Sequence, residues 1–314
     1  MVTIGKEPHD EPIKMKAGHS TIWGVTFAAN GEYLVSGDEE GVRVWRVEDS
    51  RQVATMAADL VRCLTVSKDG KWIAVGTSWS GVILLNAKTF ETVLTHWETT
   101  ANYVITGVDF SPDSTRFVVA SSDGTTTVWD VATRERVLIL HHEDRVIAAK
   151  YSPQGDRIAT ATHGSVRLYD SSDGRLLANI NINVTPWYHF CLLWFNNHVF
   201  ILSDGKIKQI DPSTQSAVSE WPVPDTDRFS CIVLSQLGNF IAYSANRTVT
   251  LWDTSTHTQL GQIQHPKDIR SIALSPDDRF LAIGSEDGRI TIENLRDVLP
   301  PSCFAVSILY FQIQ

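Results

Sequence analysis

One pattern recurs seven times along this chain: an apolar strand, a short polar turn, a second strand, an acidic or glycine-containing turn, and a third strand. The first strand of each copy closes on Phe27, Val66, Phe110, Tyr151, Trp194, Leu234 and Leu274, at gaps of 39, 44, 41, 43, 40 and 40 residues. A period near forty built from short strands marks a repeat architecture. One such unit cannot bury both faces of its own small sheet. Neighbouring sheets must stack, and seven of them can close a ring.

Repeat three is the clearest copy. Tyr103 to Phe110 reads as the strand lining the ring, and Ser111-Pro-Asp-Ser114 as the turn after it. Proline presets φ there and the aspartate bonds locally. Arg116 to Ala120 is the second strand, Ser121-Ser-Asp-Gly124 a tight hairpin turn, and Thr125 to Asp130 the third strand, ending in Trp129-Asp130. Trp45-Arg46, Leu85-Asn86, Tyr169-Asp170, Ile210-Asp211, Trp252-Asp253 and Glu293-Asn294 are its equivalents. Repeat five is the most eroded, with Phe195-Asn-Asn-His198 at its first turn.

Trp129-Asp130, Trp252-Asp253, Gly18-His19 and the Ser-Pro-Asp turns, recurring at a fixed period, resemble the WD40 family of β-propellers over roughly residues 11–299. The degenerate copies are also similar to WD-repeat arrays of fungal proteins, including NLR-type receptors. The resemblance implies an all-β, seven-bladed β-propeller of four-stranded antiparallel blades. It also implies that an N-terminal strand, here within Pro12–Ala17, closes the ring on blade seven, which removes exposed sheet edges. Residues 1–10 then form an N-terminal extension, and 300–314 a C-terminal apolar tail set off by Pro300-Pro301.

Composition narrows the function. A formal charge of −9 argues against non-specific nucleic-acid binding, which needs a basic stripe, and favours neutral or basic partners. Of the four cysteines, Cys63, Cys191 and Cys231 fall in innermost strands, where cysteine behaves as a small buried apolar residue. No CxxC pair occurs, and structural thiols of a reducing compartment are the plain reading. The N-terminus lacks the apolar run of a secretory signal, and no stretch approaches the length needed to span a bilayer. Cytoplasmic residence is expected, with the nucleus open. The ten histidines show no HxxxH or HExxH spacing, and no glycine-rich phosphate loop joins a strand to a helix. No cofactor, no metal and no catalytic residue is expected.

Two constellations remain. In the family, a histidine, a hydroxyl, an acid and the tryptophan form a buried hydrogen-bond network that stiffens a blade. The matching residues are His19, Ser36, Asp38 (or Glu39) and Trp45 in repeat one, His142 and Thr160 in repeat four, and His265 and Asp287 in repeat seven. Such sets imitate a hydrolase triad, but a serine buried on a middle strand cannot meet substrate. The other constellation is the mouth of the central channel. Side chains repeat every two residues along a strand, so counting back from the first turn places Trp23, Arg62, Val104, Thr106, Arg145, Tyr188, Phe190, Arg228 and Arg270 on one opening. Tyr103 and Trp187 flank it. Arginine and aromatic residues are enriched at binding hot spots, and guanidinium forks suit carboxylate or phosphate. Each arginine has a neighbouring acid as an alternative partner: Asp59, Asp144, Asp227 or Asp268.

The sequence therefore predicts a non-catalytic scaffold that presents a rigid loop face to a protein or peptide, as a monomer or within a larger complex. The alternatives are a sensor propeller of an NLR-type signalling protein and an enzyme working at the channel mouth.

Overall fold

A computed structural model describes residues 12–79, 81–96, 103–182, 192–203, 205–224 and 229–304. It holds seven four-stranded antiparallel sheets. Each innermost strand packs on the next, and the seventh, Ile269–Leu274, returns to the first, Gly24–Phe27. The result is a closed seven-bladed propeller. Six blades are continuous in sequence. The seventh takes three strands from Ile269–Leu274, Phe280–Ser285 and Arg289–Asn294, and its fourth from Ile13–Lys16. Ile13 pairs with Ile292 and Lys16 with Arg289, while Met15 is buried beside Ile22, Ile290 and Ile292.

Second and third strands are buried almost throughout, so their sequences read as apolar runs, whereas outermost strands alternate. Large rings fill the space between blades. Phe117 and Trp129 stack with centroids 6.3 Å apart, and both are buried.

The aspartate after the tryptophan position has a local task. Asp130 Oδ1 accepts from the backbone N–H groups of Ala132 and Thr133, both at 2.9 Å. Asp170, Asp211 and Asp253 cap the same turn in their blades. A short side chain bonding to its own backbone two residues ahead fixes the hairpin between third and fourth strands. One step earlier, all six continuous blades carry a register shift between these strands, at Val44/Trp45, Leu84/Leu85, Val128/Trp129, Leu168/Tyr169, Gln209/Ile210 and Leu251/Trp252. Such a bulge bends the strand and raises the local twist. The pairing of Ile13–Lys16 with blade seven has none.

The turns between first and second strands form an inner collar on one face of the ring. Their fourth residue adopts positive φ, with Gly31, Gly70, Gly155 and Gly238 in four blades, Ser114 in the third and Asp278 in the seventh. Each sits against the preceding blade's turn. A Cβ on Gly155 would stand 3.2 Å from Pro112 Cδ, and one on Gly238 would overlap the Phe195 ring. Gly31 lies by Pro276 and Gly70 by Ala29. Ser114 Oγ accepts from Asp69 N at 3.2 Å, and Asp278 Oδ2 from Gln236 N at 2.8 Å. Blade five departs from this scheme. Its first strand ends at Phe195 and its second starts at His198, leaving only Asn196-Asn197 between them.

Beyond blade seven the chain stays docked through Phe304. Two short 3-10 turns, Leu295–Asp297 and Pro301–Cys303, place Leu295, Leu299 and Cys303 in the apolar layer of blades six and seven. Asn239 Nδ2 donates to Cys303 O at 2.9 Å. Residues 300–304 of the tail thus belong to the packed ring.

Candidate functional site

Among the described residues, the loops entering the first strands and those joining second to third strands share one face, opposite the collar. There the side chains of non-adjacent blades meet. Trp23, just ahead of the first strand of blade one, lies edge-on to Phe229, just ahead of that of blade six, with centroids 5.5 Å apart and planes at 60°. Blade seven stands between those two on the circle, so the contact bridges the channel mouth. Arg62 of blade two places its Cζ 4.8 Å from the Trp23 ring centroid, and Arg270 of blade seven places its own 4.2 Å from the Phe229 ring. The four residues form a continuous guanidinium–aromatic–aromatic–guanidinium row. A cation over a ring face is attracted by the ring quadrupole, more strongly as water is excluded.

The two guanidinium groups are held differently. Arg62 Nε donates to Ser78 Oγ at 2.8 Å. Partial burial pulls Arg62 below the usual arginine value, against the opposing charge of Glu39. Arg270 is tied to Glu286 at 3.2 Å and Asp268 at 3.7 Å. The neighbouring-acid alternative therefore describes Arg270, whereas the Arg62 contacts described are to Ser78 and Trp23. Arg145 is exposed, and Asp144 turns its side chain to His163 at 3.3 Å and to the Arg145 backbone N–H at 2.7 Å. Trp23 Nε1 is buried without a hydrogen-bond partner among the described residues. Tyr103 and Trp79 are exposed on the same face, at 44% and 58%. Thr106 Oγ1 turns inward, donating to Val146 O at 2.8 Å, and Val104 N donates to Ser122 Oγ. Trp187, Tyr188, Phe190 and Arg228 lie outside the described residues, as does Asp227.

Phe229 was missed by the period-two count, because it sits six residues before Ser235 and so on the opposite parity. The regular strand begins only at Cys231, and parity does not extend into the loop before it. Its adjacency to Arg228 was the available signal.

The buried polar sets are structural in their geometry. In blade one, Trp45 Nε1 donates to Ser36 Oγ at 2.8 Å. Asp38 accepts from the N–H groups of Glu40 and Gly41 and pairs with Arg43. His19 is exposed and outside these contacts. Arg43, directly across the ladder from Ser36, supplies the cation that Asp38 meets instead. In blade four, His142 Nε2 lies 2.9 Å from Thr160 Oγ1 and 3.3 Å from Tyr169 Oη. Burial, aided by the charge of Arg167, lowers the His142 imidazole to about 4. In blade seven, His265 bonds Lys267 O and Thr291 Oγ1, while Asp287 accepts from Ser285 and pairs with Arg289, so the two do not share a network. No group of three or more potential metal ligands occurs among the described residues.

No helix among the described residues is long and apolar enough to cross a membrane. The family described as "WD domain, G-beta repeat" matches residues 10–46, 51–85, 89–130, 134–170 and 257–292, more than half of the chain. Protein groucho of Drosophila melanogaster is 21% identical over 93% of this chain and 41% of its own length. Serine-threonine kinase receptor-associated protein of Gallus gallus is 23% identical over 59% of this chain and 53% of its own. Apoptotic protease-activating factor 1 of Rattus norvegicus is 19% identical over 89% of this chain and 22% of its own. The chain thus spans about half or less of the length of these curated relatives. Propellers of this kind are typically protein-interaction scaffolds. With seven four-stranded blades, a recurrent Trp-Asp strand end and five family matches, the chain belongs to the WD40-repeat family.

Proposed function

We propose that this chain is a non-catalytic binding module that holds a protein or peptide across the channel mouth, in the cytoplasm or nucleus. The row Arg62–Trp23–Phe229–Arg270 carries the reading. It gathers aromatic and arginine side chains from four blades at one opening, the composition that dominates binding hot spots. Loops fixed at both ends by strands lose little entropy on binding. Exposed Arg145 and Tyr103 extend the surface, and Trp187, Tyr188 and Arg228 belong to the same set by their sequence positions. A relative named for its association with a receptor kinase supports a partner of protein nature.

The test is affinity purification from native cells with mass spectrometry, comparing the wild-type chain with Arg62→Ala/Arg145→Ala/Arg228→Ala and with Trp23→Ala. Specific partners are expected to fall at least about tenfold in recovery, since hot-spot truncations cost roughly 2 kcal/mol or more. Unchanged recovery with folded variants would remove the mouth from consideration.

The similarity to apoptotic protease-activating factor 1 over most of this chain favours a second reading. In it the propeller is the ligand-recognising part of a larger signalling protein. A longer transcript joining this sequence to a signalling domain is its expected signature.

A further inference from the structure

The collar of turns is closed by direct contact at six junctions, and at the remaining one, between blades four and five, it opens. The cause is in the sequence. Blade three spends five residues between Phe110 and Arg116, but blade five spends two between Phe195 and His198. The residue that should reach back to blade four is missing. Phe195 still fills the next junction by packing on Gly238. What remains is a cleft of about 400 Å³, whose lining includes Asp156, Arg157, Trp194, Asn197, His198 and Asp211. That volume is within the range of ligand sites.

The chemistry of this wall is aromatic and acidic. Trp194 is half-buried and commits its Nε1–H to Asn196 O at 3.2 Å, leaving its ring to line the cleft. Asp156 accepts from Ser152 Oγ at 2.7 Å yet stays 60% exposed. The lining guanidinium, Arg157, already faces Asp156, with Nε 3.5 Å from Oδ2. Asp211 caps its own turn through Ser213 N and Oγ, and those bonds hold its carboxyl below the usual range, so it carries full charge at neutral pH. Two carboxylates against one paired guanidinium leave the cleft acidic beside an indole.

We propose that this cleft is a second binding site, which takes the cationic side chain, arginine or lysine, of a basic peptide segment. The cation lies against the Trp194 ring and between the carboxylates of Asp156 and Asp211, where ring quadrupole and carboxylate charge act together. The chain's formal charge of −9 draws such a segment toward the surface. The site is on the collar face, away from the arginine-lined mouth, so its partner is chemically opposite to one that favours guanidinium groups.

The full chain labelled with 15N-tryptophan provides the test, with the Trp194 indole resonance assigned through Trp194→Phe. Probes are acetyl-Gly-Gly-Arg-Gly-Gly-amide, its citrulline counterpart and its glutamate counterpart. The arginine peptide is expected to shift the Trp194 resonance saturably. The citrulline peptide and the Asp156→Asn/Asp211→Asn protein should each weaken that response by about threefold or more. Exchanging Asn196-Asn197 for the Ser-Pro-Asp-Ser-Thr turn of blade three should close the cleft and abolish it. Three results would each overturn the proposal: a Trp194 resonance unmoved by the arginine peptide, equal affinity for citrulline or glutamate, or full affinity in the doubly amidated protein. Loss of partners on mutating the channel mouth leaves these outcomes unaffected, so the two sites fail or stand separately.

Discussion

Asp278 of blade seven accepts a 2.8 Å hydrogen bond from the backbone N–H of Gln236 in blade six, at a turn position filled by glycine in four other blades. Its second oxygen is buried with no partner among the described residues, and burial, reinforced by Asp277, raises its carboxyl to about 6. The unfolded group titrates near 3.8. A raised carboxyl favours the folded state fully below the unfolded value and loses that contribution as pH climbs through the folded one. Asp278→Asn, neutral at every pH and tolerant of positive φ, should therefore be more stable than wild type at pH 7.5, by about 1–2 kcal/mol after solvent screening. The gap should vanish near pH 4. Urea melts at the two pH values check it.

His142 gives the opposite dependence. Its imidazole falls to about 4 in the fold from an ordinary 6.5. Between those values the unfolded chain takes up a proton that the folded one refuses, so stability declines as pH drops from about 6.5 to 4. The full shift is worth at most about 3 kcal/mol, reduced because the ring is partly exposed. His142→Asn should lower stability at pH 7.5 through the lost contact with Thr160, yet flatten the acid limb. Equal slopes in the two proteins would contradict the assignment.

Ring closure rests on a strand of four residues, Ile13–Lys16. Met15→Ala should cost about 2–4 kcal/mol, as for other buried large-to-small changes. Deleting residues 1–17 removes the strand and exposes the edge of Arg289–Asn294, which invites aggregation. Calorimetry and light scattering are the measurements, and a truncated ring that melts like the intact one would contradict the role of this strand.

Gly238 and Phe195 form a matched pair across blades five and six. Gly238→Ala adds a Cβ that meets the Phe195 ring, at a backbone of φ 69°, and is expected to destabilise by about 1–3 kcal/mol. Pairing it with Phe195→Ser, the residue that five of the other six turns use, should recover part of the loss. A double-mutant cycle with no coupling between the two sites would contradict the packing described.

The fold was legible because each piece is set by local chemistry repeated at a fixed interval. Pro112 presets its turn, Asp130 bonds ahead to its own backbone, and the apolar second strands can satisfy themselves only between sheets. The site was legible in part. Counting by twos found Trp23, Arg62 and Arg270, which lie together through the strand geometry. It failed at Phe229, where the strand period does not reach. His19 was placed by motif alone, and nothing in the spacing showed that Arg43, across the hairpin, would take Asp38. The cleft between blades four and five was signalled by Phe195-Asn-Asn-His198, whose shortness shows what is missing only when the neighbouring turns are seen touching.

The bulge shared by six blades and absent from the seventh means that one joint is built unlike the rest. In the continuous blades the outermost strand is delivered by a tethered hairpin and pairs with residues close to it in sequence. The clasp at Ile13–Lys16 must instead find Arg289–Asn294 across the six blades that separate them in sequence, a search whose entropy grows with the intervening length. Folding should therefore end at that latch, and a force applied to the amino terminus should undo it first, unfastening the bracelet before any link is broken.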